Sequence, residues 1–346
     1  MSTDLETTTP RSYASYTRPV WWRLLLSREA AVVAALVAVI LWAIYFVPFF
    51  GNQLTMTFLL LDVAPIMLIA LPMTLVIVTG EIDLSVASVV GLSSVLLGSL
   101  VDHGWAVPAA MLVALLAGLL CGLINGFLVA YVGLPSLAVT IGTLALFRGI
   151  AVGLLGTKAV TDFPQRWTSL AKAEIGGTGF PVIVVPFLVL ALFFALLLQY
   201  SAFGRGVYDI GLNAEAAQFA GVSVARTKLV LFVMTSLVSA FAGIYFTLRF
   251  SSSRGDNATG LELQVIAAVL LGGVSIFGGK GSLPGVLAGV VLLAALQNAL
   301  RLQDVSGQAL NIVTGALLVL SVLLPNLATA IRTTWQRRKL RRAATG

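Results

Sequence analysis

The sequence predicts an all-α membrane protein, a polytopic transmembrane helical bundle of about ten spans. Of its 346 residues, 59% are hydrophobic and only 10% are charged, and the mean hydropathy is +1.01. A soluble fold could not bury so much apolar surface in one core. Apolar runs close to the ~20 residues that a helix needs to cross a bilayer recur along the chain, whereas alternating strands do not.

Ten apolar runs follow one another along the chain. The first comes after a polar, basic segment, residues 1–29, and lacks a small-residue cleavage motif, so we interpret it as a retained helix. We therefore expect a transmembrane domain over residues 30–325 and a basic tail over 326–346. The runs lie at 30–50, 56–79, 85–101, 106–131, 136–156, 180–199, 229–248, 263–277, 283–300 and 308–325.

The distribution of basic residues predicts the orientation of the bundle. Ten spans place both termini on one side, and six spans before the polar loop 200–228 place that loop on the same side. This side carries 14 Lys and Arg residues, and the opposite loops carry six. Because cytoplasmic loops are enriched in basic residues, both termini and the loop 200–228 are predicted to be cytoplasmic. We expect the longest outside loop, 157–179, to be a connector rather than a lid.

Two carboxylates lie where the second apolar run gives way to the third, in the segment Gly80-Glu81-Ile82-Asp83-Leu84-Ser85. So short a connection requires a tight turn or a helix break, whose backbone groups need protein or water around them. We expect Asp83 and Ser85 to cap the next helix, with Asp83 accepting from the N–H groups of Val86 or Ala87, and to line a wet cavity. Capping alone is the alternative.

Further polar side chains lie within the apolar runs. Arg148 is well inside the run 136–156, and a charge at that depth is costly unless it has a partner, so it is a functional candidate. The alternative is a helix that ends early and leaves Arg148 at the outer interface. Other residues could meet a hydroxylated solute or bond between helices: Asn125, Thr140, Thr143, Gln297 and Asn298.

The chain lacks the sequence signatures of enzymes. Cys121 and His103 are the only residues of their types, so neither a disulfide nor a metal cluster is expected. The stretch Gly278-Gly279-Lys280-Gly281-Ser282 does not have the spacing of a phosphate loop and is interpreted as a cytoplasmic turn. We expect no metal or other cofactor on this chain. If the protein uses ATP, another chain must hydrolyse it.

A short helix is predicted within the cytoplasmic loop. Asn213 can cap a helix that runs through Glu215, Ala216, Ala217, Phe219 and Ala220, and Gly221 can end it. Two turns of helix are unstable alone in water, so this one must pack on its own protein or on a partner. The small residues and the aromatic Phe219 suit insertion into a groove.

Several motifs of the chain together carry a resemblance to a known family. They are Gly80 to Ser88, Gly122-Leu123-Ile124-Asn125-Gly126, Thr140-Ile141-Gly142-Thr143 with Arg148-Gly149, Gly211 to Gly221, Gly272-Gly273, and Gly278 to Ser282. Over residues 54–325 the sequence resembles the permease subunits of bacterial ATP-binding-cassette importers for monosaccharides. Glu81 and Ala87 depart from the family pattern, which usually has glycine there.

The resemblance implies a transport subunit and not an enzyme. Its partners would be a cytoplasmic ATP-binding-cassette ATPase, a periplasmic or lipid-anchored sugar-binding protein, and a second permease, as a homodimer or a heterodimer. The coupling helix, 213–221, would fit a cleft of the ATPase. The segments Leu71-Pro72-Met73-Thr74 and Arg249 to Arg254 are most similar to permeases for rhamnose and autoinducer 2.

The leading hypothesis is therefore a multi-pass permease of the bacterial cytoplasmic (inner) membrane that imports a neutral sugar-like solute of the ribose, rhamnose or autoinducer-2 class. For the substrate pathway we expect Asp83, Ser85, Asn125, Thr143 and Arg148. The alternative is an ion-coupled secondary transporter or channel in which Glu81, Asp83 and Arg148 form a relay. That alternative does not account for the coupling helix.

Overall fold

A computed structural model describes residues 28–323 as a bundle of helices; this range contains no strand, only two isolated bridges. The N-terminal segment up to residue 27 and the basic tail 326–346 lie outside the described residues. The helices are α1 (Arg28–Phe46), α2 (Gln53–Val78), α3 (Val86–Asp102), α4 (Val107–Ala130), α5 (Ser136–Leu155), α6 (Gln165–Lys172), α7 (Val184–Tyr200), α8 (Ala202–Leu212), α9 (Ala214–Phe219), α10 (Val224–Phe250), α11 (Leu261–Leu271), α12 (Leu283–Leu302) and α13 (Gly307–Leu323).

Every predicted apolar run contains a helix, which confirms the all-α membrane fold. Five of the described helices are long and apolar enough to cross a membrane by themselves, and α7 with α8 adds a sixth candidate that bends by 69°. The count of ten spans and the side of the termini stay predictions.

The bundle is built around α2. In its most apolar stretch 89% of the residues are buried, although the helix contains Pro65 and Pro72. It packs against α10, α12, α11 and α7. A helix surrounded on all sides must be apolar all round, as the sequence of α2 is, apart from Asp62.

Glycines allow α4 and α10 to approach closely. A Cβ added at Gly122 would lie 2.7 Å from the Cα of Val233, and one at Gly118 would overlap Ala240. These small residues therefore form a helix–helix seam along α4, in agreement with the way helices associate where lipid supplies no hydrophobic drive.

The eighth apolar run differs from the span expected for it. The helix over this run, α11, has 11 residues and ends at Leu271, so it rises about 16 Å, roughly half of the hydrocarbon thickness. The loop before it, 251–260, lies against α3: Ser253 donates a hydrogen bond through Oγ to Ser94 O at 2.8 Å. The expectation of a continuous helix over 263–277 is therefore wrong.

The loop 157–179, predicted to be a connector on the outside, is ordered. It contains the helix α6, and Val160 forms an isolated antiparallel bridge with Ser253. Thr57 at the start of α2 donates a hydrogen bond to Gly179 O at 2.7 Å. These contacts fasten the connector to one end of the bundle.

Candidate functional site

The turn between α2 and α3 gathers residues from several parts of the chain; we call it the junction, residues 79–85. Gly80 adopts a φ of +83°, and the chain then turns back into α3. Glu81 pairs with Lys228 of α10 at 2.5 Å. The backbone of Ile82 bonds α5 twice, with its N–H donating to Ser136 Oγ at 3.2 Å and its carbonyl accepting from Thr140 Oγ1 at 3.2 Å. The junction thus ties α2, α3, α5 and α10 together.

Three of the five predicted pathway residues form one hydrogen-bonded chain at the junction. Asp83 Oδ1 accepts from the N–H of Ser85 at 2.9 Å and from its Oγ at 2.6 Å, and Asn125 Nδ2 donates to Ser85 Oγ at 2.8 Å. All three residues are fully buried. The expected bonds from Val86 or Ala87 are wrong, because the short turn brings the N–H of Ser85 to the carboxylate first. Ser85 occupies the N-cap position of α3 without a side-chain cap bond.

The other two predicted pathway residues lie apart from this chain. Thr143 Oγ1 is 3.4 Å from Thr140 O within its own helix. Arg148 is seven residues from the end of α5, so the helix does not end early. Its guanidinium donates to the carbonyl oxygens of Gly255 at 2.9 Å, Asn257 at 2.6 Å and Ala87 at 3.1 Å. Arg148 therefore fastens the loop 251–260 to α3.

The residues of the alternative relay are bonded separately. Glu81 pairs with Lys228, Asp83 bonds Ser85, and Arg148 bonds three backbone carbonyls. No hydrogen bond or ion pair joins Glu81, Asp83 and Arg148 to one another in the part of the chain that the structure describes. The structure gives no continuous relay in this state.

The predicted short helix is present at the same end of the bundle. Asn213 Oδ1 accepts from the N–H of Ala216 at 2.9 Å, as a cap does, and Gly221 has a φ of +88°. Ala217 is buried, and Phe219 is 93% exposed. The remaining members of the predicted coupling helix are exposed: Asn213, Glu215, Ala216, Ala220 and Gly221. This arrangement offers a rigid, partly apolar surface to a partner.

The surface beneath the coupling helix is closely packed. Gly211 of α8 lies so near Val78 O that no Cβ fits there. Gly279 donates from its N–H to Val78 O at 2.8 Å, and Tyr208 donates to Gly281 O at 2.7 Å. The glycine-rich segment 278–282 is therefore a turn, as predicted, and it joins α8 to the C-terminal end of α2.

A polar cleft opens at the opposite end of the bundle. α10 starts three residues after Gly221, the last residue of the coupling helix, and ends at Phe250, which lines the cleft. Its 27 residues of helix separate the two ends by about 40 Å. The widest part of the cleft has a volume of about 440 Å³, within the ~300–1,000 Å³ of small-molecule sites. Asp62, Gln264 and Arg301 line this part together with polar residues of the loop 251–260: Arg254, Asp256, Asn257 and Thr259. A narrower part of about 90 Å³ has its polar lining from α2, α11 and α12: Asp62, Gln264, Gln297, Asn298 and Arg301.

In the cleft, Asp62 bonds one arginine and lies close to a second. Its Oδ1 is 3.1 Å from Arg249 Nη2, and its Oδ2 is 4.0 Å from Arg301 Nη1. The Arg249 guanidinium lies 5.5 Å from the ring centre of Phe58 and 5.4 Å from that of Phe250, so it is confined. The site thus combines a positioned carboxylate, a second cation and three amides.

Sequence reasoning named Gln297 and Asn298 only as general polar groups and missed Asp62, Gln264 and Arg301 as members of a site. The sequence nevertheless contains a signal for this site. Asp62 is a lone charge in an apolar helix, and Gln297, Asn298 and Arg301 share one helical face. None of the five predicted pathway residues lines this cleft.

The family model and the relatives that match this chain are all described as permease components of transport systems. Residues 55–322 match the model of a family described as branched-chain amino acid transport system, permease component. The chain is 35% identical over 324 residues to the autoinducer 2 import system permease protein LsrD of Klebsiella pneumoniae, covering 91% of this chain and 97% of the relative. It is 36% identical over 261 residues to the LsrD proteins of Salmonella paratyphi B and Escherichia coli, covering 74% of this chain and 78% of each relative. No solved structure matches.

Proposed function

The chain belongs to the family of branched-chain amino acid transport system permease components, and we propose that it moves a neutral sugar-like solute inward through the polar cleft. It is a multi-pass inner-membrane permease of an ATP-binding-cassette importer and not an enzyme. Membership of this family implies a separate ATPase and a solute-binding protein as partners.

Autoinducer 2 is the first solute to test, with monosaccharides of the ribose or rhamnose type next. The LsrD relatives are permeases of autoinducer 2 import systems. The amides Gln264, Gln297 and Asn298 both donate and accept, which suits solute hydroxyl groups. The family description names branched-chain amino acids, so leucine belongs among the competing solutes.

The observation that carries this proposal is the placement of two different surfaces at opposite ends of the bundle. A polar cleft of small-molecule size is found at one end. The coupling helix, exposed and capped, is found at the other. A permease driven by a cytoplasmic ATPase needs both, a solute entrance on the outside and a docking element on the inside.

We propose that the ATPase binds the coupling helix, with Phe219 in a groove of the partner and Glu215 at the rim. Movement of this helix would reach the membrane through Lys228, at the start of α10, and its ion pair with Glu81 of the junction. The permease would act with a second copy or a related permease, as a homodimer or a heterodimer.

We propose that the pathway residues expected from the sequence contact the solute in a conformational state different from this one. They are Asp83, Ser85, Asn125, Thr143 and Arg148. Here the first three are buried and bonded to one another, and we propose that the junction closes the inner end in this state. Alternating access would require this chain of bonds to part as the solute passes inward. The proposal therefore treats the junction as the inner gate.

Uptake into proteoliposomes tests this proposal. The permease, its ATPase and its solute-binding protein are reconstituted with the ATPase facing the side that receives ATP, and accumulation of radiolabelled autoinducer 2, ribose, rhamnose or leucine is measured. We expect accumulation of a hydroxylated solute only with ATP and binding protein. Accumulation without the ATPase, driven by a proton gradient, would support the ion-coupled alternative instead.

A second experiment tests the docking surface. Glu215→Arg is expected to abolish stimulation of ATP hydrolysis by the permease while the protein still inserts into the membrane. Unchanged stimulation would remove Glu215 from the ATPase interface.

A further inference from the structure

We infer that Asp62, Gln264 and Gln297 bind hydroxyl groups of the solute in the outer cleft, and that Arg249 is a positioning residue for Asp62. This inference rests on the proposed function and gives its entrance a specific set of binding residues. None of these four residues is among the five pathway residues expected from the sequence.

The carboxylate of Asp62 has one oxygen engaged and one available. Arg249 is only 12% exposed, packs near two aromatic rings and bonds Oδ1. Arg301 is 60% exposed, and its 4.0 Å separation from Oδ2 exceeds a hydrogen bond. A solute hydroxyl could therefore donate to Oδ2 without displacing the partner that fixes the carboxylate.

The glutamines provide donors and acceptors on facing helices. Gln297 Nε2 donates to Thr314 Oγ1 at 2.8 Å, which orients the amide of Gln297 and leaves its Oε1 as an acceptor. Gln264 lines all three parts of the cleft, and its side chain makes no hydrogen bond to any residue that the structure describes. Both the acceptor Oε1 and the donor Nε2 of Gln264 are therefore available to a solute.

A further group without a partner lies in the same cleft. Asn298 Oδ1 is shielded from solvent and accepts no hydrogen bond from the described residues. A buried acceptor is costly while it stays unpaired. This oxygen is not exposed to the cleft in this structure, so a solute would reach it only after the side chain moves, and Asn298 is not among the inferred binding residues.

The amides of the cleft, more than its charges, favour a hydroxylated solute. Asp62 is paired with Arg249, and Arg301 lies 4.0 Å from its second oxygen. These groups could also receive the ammonium and carboxylate groups of an α-amino acid, so leucine is the competing solute to measure. Gln264 and Gln297 distinguish the two, because the side chain of leucine offers them no hydrogen bond, whereas each hydroxyl group of a sugar-like solute can donate and accept.

Direct binding measurements test the inference without the solute-binding protein. The permease in nanodiscs is titrated with tritiated autoinducer 2, ribose, rhamnose or leucine, and the Kd is measured by scintillation proximity. For the sugar-like solute that binds, we expect Gln264→Leu to raise Kd about 10-fold, since one or two hydrogen bonds are lost. The matched control is Gln303→Leu, which changes an exposed glutamine that does not line the cleft and should leave Kd unchanged.

An analogue of the solute that lacks one hydroxyl group separates contact from general damage. If Gln264 binds that hydroxyl, wild type should bind the analogue about 10-fold more weakly, and Gln264→Leu should bind solute and analogue equally. Arg249→Lys keeps the charge near Asp62 and should retain more affinity than Arg249→Ala. Binding of the ATPase to each variant shows that the inner end is intact.

The outcomes are distinct for the two proposals. If the wild-type complex shows no ATP-dependent uptake of any of these solutes, the proposed function fails. If the wild-type complex transports a sugar-like solute but Gln264→Leu binds it with unchanged Kd, the inference alone fails. Tighter binding of leucine than of any hydroxylated solute would also overturn it.

Discussion

The two ends of this permease are built by different means. At the end that carries the coupling helix, which we propose is the inner end, the junction, the turn 278–282 and α8 are joined by backbone hydrogen bonds and close glycine contacts, such as Gly279 N–H to Val78 O. At the outer end, the cleft is lined by long side chains from three helices, with Asp62 and Arg301 4.0 Å apart. The inner end is suited to transmitting a movement of the backbone, and the outer end to adapting side chains to a solute.

The largest expected effect is a loss of stability when a side chain is added where α8 packs against α2. Gly211→Val would force a side chain against Val78 O and should lower the free energy of unfolding by about 3 kcal/mol, the upper part of the usual range for overpacking. Thermal unfolding of the purified protein measures it. Gly142→Val is the control, because an added Cβ there has no neighbour within 4 Å. Equal losses for both variants would contradict the close packing of the inner end.

Phe219→Ala should have the next largest effect, on association with the ATPase. A large aromatic side chain that is 93% exposed would become a central contact on docking, and its loss should cost about 2 kcal/mol, or roughly 30-fold in Kd. Surface plasmon resonance with the ATPase measures the change. Phe180→Ala, at the outer end and also exposed, should have no effect. Similar losses for both phenylalanines would break the distinction between the ends.

The ion pair between Glu81 and Lys228 tests the link from the coupling helix to the junction. Each side chain is less than one-fifth exposed, so Glu81→Gln leaves a half-satisfied cation and should destabilise the protein by about 1.5 kcal/mol. ATP hydrolysis per solute transported should rise, because docking persists while coupling weakens. The double variant Glu81→Gln with Lys228→Gln should recover part of the stability. If the changes in the free energy of unfolding of the two single variants simply add in the double variant, the two residues do not interact.

The smallest effect concerns the cap of the coupling helix. Asn213→Ala removes the acceptor for the N–H of Ala216, and loss of such a cap costs about 1 kcal/mol of helix stability. Affinity for the ATPase should fall about fivefold, and Asn213→Ser should restore it. Identical affinities for alanine and serine would show that the cap does not preorganise the docking surface.

Features that depend on the local sequence could be predicted, and features that depend on tertiary packing could not. Helix positions, the cap at Asn213, the stop at Gly221 and the glycine seam at Gly122 depend on neighbours in sequence or on helical spacing, so they were predictable. The cleft depends on Asp62, Gln264 and Gln297, which are about 200 residues apart at the extremes and meet only through tertiary packing. The bonds of Arg148 to Gly255 and Asn257 were unpredictable for the same reason.

The short helix over the eighth apolar run is explained by where the helix stops. The run 263–277 is apolar enough for a span, yet Gly272 and Gly273 end the helix, and a Cβ at Gly272 would overlap Val286 of α12. Hydropathy reports only that a segment avoids water. Whether the segment continues as a helix depends on its packing partners.

The central claim is that the two ends have separate tasks, solute binding at the cleft and ATPase coupling at α9. One reconstitution measures it: solute affinity and permease-stimulated ATP hydrolysis are determined for Gln264→Leu and for Phe219→Ala. The account predicts that Gln264→Leu lowers solute affinity and leaves ATPase binding intact, whereas Phe219→Ala lowers ATPase stimulation and leaves solute affinity unchanged. The reverse pattern, or loss of both properties in both variants while the proteins remain folded, would contradict it.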